Sequence, residues 1–173
     1  MKKVLAVLLP LALCASAAIA SHDDDAVVRW KTIVGNITVS SNDAVGGISP
    51  GTLPWSTVGG RARVNLATGH VSFDVEGLVL NGGNATGTPG RVNQVEGSLI
   101  CDAGSDDQTI FTTPGVQLTA QGNADFSGTF DTVPGTCTNP LFLIRIGQEI
   151  PGANQRWIAT GAVRSFGDSQ SHN

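Results

Sequence analysis

Between Arg61 and Glu76 apolar and polar side chains alternate on either side of Thr68-Gly69. A period of two suits a half-buried strand and leaves a helix with no apolar stripe. With Thr68-Gly69 as the loop, Ala67 faces His70, and Ala62, Val64 and Leu66 lie opposite Val75, Phe73 and Val71. The other face then sets Arg61 against Glu76, Arg63 against Asp74 and Asn65 against Ser72. A one-residue slip would destroy both the apolar and the charge match. The segment therefore predicts a hairpin with one buried and one charged face, with Phe73 in the core.

The same pattern recurs along the chain. Strands are expected at 26–34, where Val28, Trp30, Thr32 and Val34 alternate with Arg29, Lys31 and Ile33, and at 37–40 after Gly35-Asn36. Further strands are expected at 91–101, with Val95, Leu99 and Cys101 on one side and a bulge at Gly97, and at 109–112 and 155–165. Leu141 to Ile146 is apolar except for Arg145, which predicts a central strand covered on both faces. A second hairpin is expected from 115–120 and 124–131 around Gln121-Gly122-Asn123, with Leu118 opposite Phe126 and Val116 opposite Gly128. Residues 41–60, 81–90 and 134–140 are rich in Gly, Pro, Asn, Ser and Thr and read as loops, the first holding Trp55 as a plug on the end of the core. Together with 22 glycines and no tyrosine, this predicts an all-β fold. The expected architecture is an antiparallel β-sandwich, Ig-like or jelly-roll-like, of about eight or nine strands.

Residues 1–20 follow a different logic. Lys2 and Lys3 precede an apolar run from Val4 to Leu13, and small residues lead to Ala18-Ile19-Ala20, the plan of a signal peptide cleaved after Ala20. The apolar run is about half of the ~20 residues needed to span a bilayer. Leu13 before Cys14 departs from the small residue that a lipoprotein cleavage site wants. The expected organisation is signal 1–20, a flexible acidic lead-in 21–25, one domain 26–166 and a disordered polar tail 167–173. The product is expected to be secreted or periplasmic, with no transmembrane segment after cleavage. Once Cys14 has left with the signal, Cys101 and Cys137 remain as an even pair in an oxidising compartment, which predicts a disulfide.

Charge and motifs limit the chemistry. Without Lys2 and Lys3 the chain has 8 basic and 14 acidic residues. With no run of Lys or Arg, no nucleic-acid partner is expected. Of three histidines, His22 and His172 lie in the tails and His70 at the hairpin end, so a general base with an orienting partner is not in prospect. No nucleophile elbow, zinc-binding HExxH or phosphate-binding glycine loop occurs, so no catalytic or cofactor-binding residue is assigned. Asp102, Ser105, Asp106 and Asp107 put hard oxygen ligands on one loop beside Cys101, the chemistry of a weak structural calcium site, though the spacing departs from the EF-hand order.

The hairpin closing on Gly77-Leu78 resembles the opening of CHRD-type secreted β domains. Their His-containing segment has no counterpart here, and the resemblance carries over no site residue. The reading preferred from sequence is a non-catalytic extracellular binding or structural module, its loops carrying specificity toward an extracellular ligand or protein. One alternative is a glycosidase-like hydrolase using two of Asp74, Glu76, Asp102, Asp106, Asp107, Asp125 and Glu149 brought together in a groove. The other is a subunit of an extracellular polymer, which needs a long unpaired apolar edge strand.

Overall fold

Wherever the chain alternates or carries β-branched runs it pairs as strands, and the turn clusters punctuate them. The computed structural model describes residues 26–37, 40, 43–150 and 155–167. The expected signal, the lead-in, most of the tail and positions 38–39 of the strand expected at 37–40 lie outside the described residues.

Eleven strands form among the described residues: β1 (Val27–Gly35), β2 (Trp55–Ser56), β3 (Gly59–Asn65), β4 (His70–Glu76), β5 (Val79–Leu80), β6 (Gln94–Cys101), β7 (Thr109–Thr112), β8 (Val116–Gln117), β9 (Ala124–Thr129), β10 (Leu141–Ile146) and β11 (Trp157–Phe166). The two-residue strands β2, β5 and β8 were hidden in segments that read as loops or longer runs. The main sheet runs β7-β6-β10-β11-β1-β3-β4-β9, with β8 also on β6, and its ladders are antiparallel. The expected all-β antiparallel fold is therefore the one that forms.

Its two layers are halves of one curled sheet. Trp30 of β1 meets Phe142 of β10 at 5.4 Å between ring centroids, and Phe73 of β4 meets the same ring at 5.8 Å. Phe73 also stacks on Phe126 of β9 at 5.8 Å. Val64, Val71, Val95, Leu99 and Ile144 complete this interior without measurable exposure. At about 1.5–3 kcal/mol for each fully buried large apolar side chain, these contacts are the main driving force for the curl. The curl brings the sheet's edges near one another, where Phe111 of β7 and Phe130 just beyond β9 lie 5.9 Å apart.

The prediction for β10 holds on both faces. Phe142, Ile144 and Ile146 point into the main core, while Leu143 joins Ile48, Ile100 and Trp157 in a second apolar cluster on the opposite face. Trp55 is 3% exposed and packs into the main core, as a plug would. The sulfurs of Cys101 and Cys137 are bonded, with Cα atoms 4.9 Å apart, fastening the end of β6 to the turn before β10.

Four expectations need correction. In the 61–76 hairpin Ala62 pairs with Phe73, Val64 with Val71, Arg61 with Asp74 and Arg63 with Ser72, and Glu76 and Val75 pair with Gly59 and Gly60. The register is two residues from the one expected, a shift that keeps every side chain on its face. It follows from a longer loop: Asn65 Oδ1 accepts hydrogen bonds from the backbone N–H groups of Ala67 (2.9 Å) and Thr68 (3.1 Å), and Gly69 N–H donates to the Asn65 carbonyl.

The second hairpin keeps its turn and loses its pairing. Gly122 N–H donates to the Thr119 carbonyl and Thr119 N–H to the Asn123 carbonyl. Beyond that turn β8 joins β6 and β9 joins β4, so the expected pairs 118/126 and 116/128 do not form. Leu78 N–H donates to the Gly122 carbonyl at 2.8 Å, pinning the turn from outside. Gly97, the third case, lies in unbroken register with Ile144 of β10, with no bulge. Finally, β1 does not alternate throughout: Val28, Trp30 and Ile33 are buried while Val34 is 45% exposed.

Candidate functional site

The outer face of β1, β3, β4 and β9 carries the polar half of the alternation. Adjacent strands sit about 4.8 Å apart and residues i and i+2 share a face, so two rows of side chains run across the four strands. Arg29 stands opposite Arg63, Arg63 opposite Ser72, and Ser72 opposite Ser127. In the next row Arg61 stands opposite Asp74 and Asp74 opposite Asp125. Lys31 follows Arg29 on the same face of β1. A groove of 640 Å³ lies over these rows, lined by Arg29, Lys31, Arg61, Arg63, Asp74 and Asp125 among others.

The distribution of charge is uneven. Four of the eight basic residues that follow residue 20 line this one groove, against two carboxylates. These cations form no run in the sequence and are gathered by strand pairing. Arg61 Nε donates to Asp74 Oδ1 at 2.7 Å, with side chains 79% and 37% exposed. Beside the groove, Val163 of β11 has φ 53°, a left-handed conformation that a β-branched side chain disfavours. The β1–β11 ladder is interrupted there, at the position opposite Lys31. Such strain costs about 1–3 kcal/mol and clusters at functional sites.

Comparison with known proteins returns nothing: no family model, no curated protein and no solved structure matches this chain. The resemblance of the 61–78 hairpin to CHRD-type domains therefore stands on the hairpin alone, and function has to be read from the side chains.

Of the seven carboxylates named from sequence, Asp74 and Asp125 share the groove, and Glu76 lines an adjacent hollow with Asp125 between β4, β9 and β8. Asp102, Asp106, Asp107 and Glu149 line neither. His70 is exposed at the start of β4.

The acidic loop is organised by its own bonds. Ser105 Oγ donates to the Asp102 carbonyl at 2.8 Å, Gly104 N–H donates to Gln108 Oε1, and Gln108 Nε2 donates to the Gly46 carbonyl. Asp106 and Asp107 are exposed, and no group of three or more His, Cys, Asp or Glu side chains is placed to hold a metal among the described residues. No helix among them is long and apolar enough to cross a membrane.

Two further features were not legible in sequence. Arg145, 7% exposed, donates from Nε to the Gln155 carbonyl (3.0 Å) and from Nη1 to Ser98 Oγ (3.2 Å), and lies 3.6 Å from Glu96. Burial pushes the Glu96 carboxyl above its ordinary value, and the Arg145 charge opposes that shift only in part. A smaller apolar pocket of 250 Å³ lies among Leu53, Trp55, Leu80, Val92 and Ile146, with Arg91 as its charged member.

Proposed function

We propose that this chain is an exported, non-catalytic β module that binds an anionic ligand on the open face of β1, β3, β4 and β9. The observation that carries this reading is the gathering of Arg29, Lys31, Arg61 and Arg63 in one groove of a chain whose formal net charge is −4. Arg29 and Arg63 stand directly opposite one another on β1 and β3, and the planar guanidinium fork suits bidentate contact with an oxyanion. Specificity then lies on the sheet face and not chiefly in the loops. Export is supported by the pattern of residues 1–20 and agrees with the Cys101–Cys137 bond.

Titration of isotope-labelled protein with inorganic sulfate at low ionic strength tests the site. Amide and guanidinium resonances should shift for residues 29–31, 61–63, 72–74 and 125–127. Shifts scattered evenly over the surface would leave the groove with no claim to the ligand.

Asp74 and Asp125, directly opposed on adjacent strands, favour a second reading, a carboxylate-dependent hydrolase. Such an enzyme needs an acid sheltered from water, whereas Asp125 is exposed and Asp74 is held by Arg61. Turnover of a panel of glycosides that is abolished by Asp125→Asn would establish the hydrolase in place of the module.

A further inference from the structure

We infer that the smaller pocket, between β2, β5 and the loops before β6 and after β10, binds a small apolar carboxylate. The hydrocarbon body lies inside, with an oxygen toward Trp55, and the carboxylate rests on Arg91 at the mouth. The pocket shares no lining residue with the groove over β1, β3, β4 and β9, so the inference stands apart from the anion reading of that face.

The walls follow from the pairing of two short strands. Trp55 of β2 stands opposite Leu80 of β5, which sets both side chains on one face. Val92, Ile146 and Ile150 complete the wall, and all five side chains are more than nine-tenths buried. Leu80 N–H donates to the Thr88 carbonyl and Gly87 N–H to the Leu80 carbonyl, which folds the intervening loop back on β5. The mouth is fixed by Gln148. Its Oε1 accepts from the N–H groups of Asn93 (2.6 Å) and Gln94 (2.8 Å), and its Nε2 donates to the Arg91 carbonyl (2.9 Å). The Arg91 backbone is thereby held before any ligand arrives, which lowers the ordering cost of binding.

Two polar groups in this apolar lining have no use within the fold. Arg91 alone is charged among the described residues that line the pocket, and it is exposed. Its guanidinium makes no hydrogen bond or ion pair among the described residues. Trp55 is 3% exposed, yet its Nε1 donates to no acceptor among the described residues. That nitrogen lies beside Gly51, also in the lining, where a Cβ would come within 3.3 Å of it. A buried indole N–H usually finds a partner, and an oxygen on the ligand body supplies one. The carboxylate answers the guanidinium.

Other ligands fit less well. A sugar would leave hydroxyls unpaired against these walls, and an amine would face the charge of Arg91. The volume of 250 Å³ lies below the roughly 300–1,000 Å³ usual for drug-sized ligands and above the roughly 150 Å³ that holds benzene. The body is therefore about one ring with a short tail.

The test is titration of isotope-labelled protein with a hydroxyphenylpropanoate, its carboxamide, acetate and a pentapeptide ending in a phenylalanine carboxylate. The aryl acid should move the Trp55 indole resonance and the backbone signals of residues 51–55, 80, 90–92 and 146–150. The carboxamide should bind at least about tenfold more weakly, since a charge-assisted contact is lost, and acetate should move none of these signals. Arg91→Gln should weaken the acid by about tenfold and leave the carboxamide unchanged. Because Arg91 is exposed, thermal melting of the variant should stay as it was. Equal binding of acid and carboxamide, or an acid affinity indifferent to Arg91→Gln, overturns the carboxylate assignment. A Trp55 indole signal that stays fixed, or acetate bound as tightly as the acid, overturns the pocket as the site. Tighter binding of the pentapeptide makes the occupant a protein terminus and overturns the small-molecule assignment. If sulfate moves the groove signals while none of these four probes binds, this inference falls and the anion reading of the sheet face stands.

Discussion

Gly97 of β6 lies beneath the ring of Phe142 on the neighbouring strand β10: a Cβ at position 97 would come within 2.7 Å of Phe142 Cζ and 2.8 Å of Phe73 Cε1. The hydrogen at this position is what lets the two aromatic rings meet above β6. Gly97→Ala should therefore destabilise the fold by about 1–3 kcal/mol through overpacking. Urea unfolding measures it, and an unchanged midpoint would mean that the rings move aside freely.

Cys101 and Cys137 lie 36 positions apart in sequence. In the chain-entropy model, closing a loop of that length contributes about 4 kcal/mol. The double variant Cys101→Ser, Cys137→Ser should lose most of that. Reduction of the native protein should lower its melting temperature in parallel, which differential scanning calorimetry reads directly.

Arg61 and Asp74 form an ion pair that is largely open to solvent, so a double-mutant cycle between them should return less than about 1 kcal/mol, falling further in high salt. Phe73, 3% exposed on the opposite face of the same hairpin, should lose about 3–5 kcal/mol on substitution by Ala. If Arg61→Ala proved the costlier change, the assignment of inner and outer faces would be reversed.

Glu96 supplies a pH signature. Its carboxyl titrates above its ordinary value of 4.5 in the folded chain, first because burial disfavours the charge and despite the attraction of Arg145. Above 4.5 the folded state then holds the proton more tightly than the unfolded state, so stability falls as pH rises toward the folded value. Glu96→Gln removes this dependence. The stability of the native protein relative to Glu96→Gln should be greatest at and below pH 4.5 and decline above it, as followed by denaturant titration at a series of pH values.

Face assignments were legible in the sequence and partner assignments were not, for a physical reason. Alternation at 61–76 determines which side chains are inside, and Phe73, Val64 and Val71 are buried as expected. A register shift of two leaves that pattern untouched, so the Asn65 side-chain bonds that settle the loop length had no counterpart in the alternation. In the second hairpin the apolar residues were read correctly as inward, yet nothing in their spacing says that β8 takes β6 and β9 takes β4. The candidate site follows the same rule. Arg29, Lys31, Arg61 and Arg63 were each placed on strands, and only the β1–β3 pairing, formed across some thirty residues of intervening chain, turns two separated pairs into one charged surface.

The disulfide bears on how the molecule responds to tension. Residues 102–136, between Cys101 and Cys137, supply β7 and β9, the terminal strands of the main sheet's path, as well as β8. A force applied at the two chain ends therefore bypasses every residue of that segment while the bond holds. The oxidised molecule should extend by some 36 residues less than its full contour, roughly 120–130 Å at ~3.3–3.6 Å per residue. Reduction converts those strands from a sheltered ring into load-carrying chain, so a protein of this design keeps its sheet edges out of the line of pull for as long as its surroundings remain oxidising.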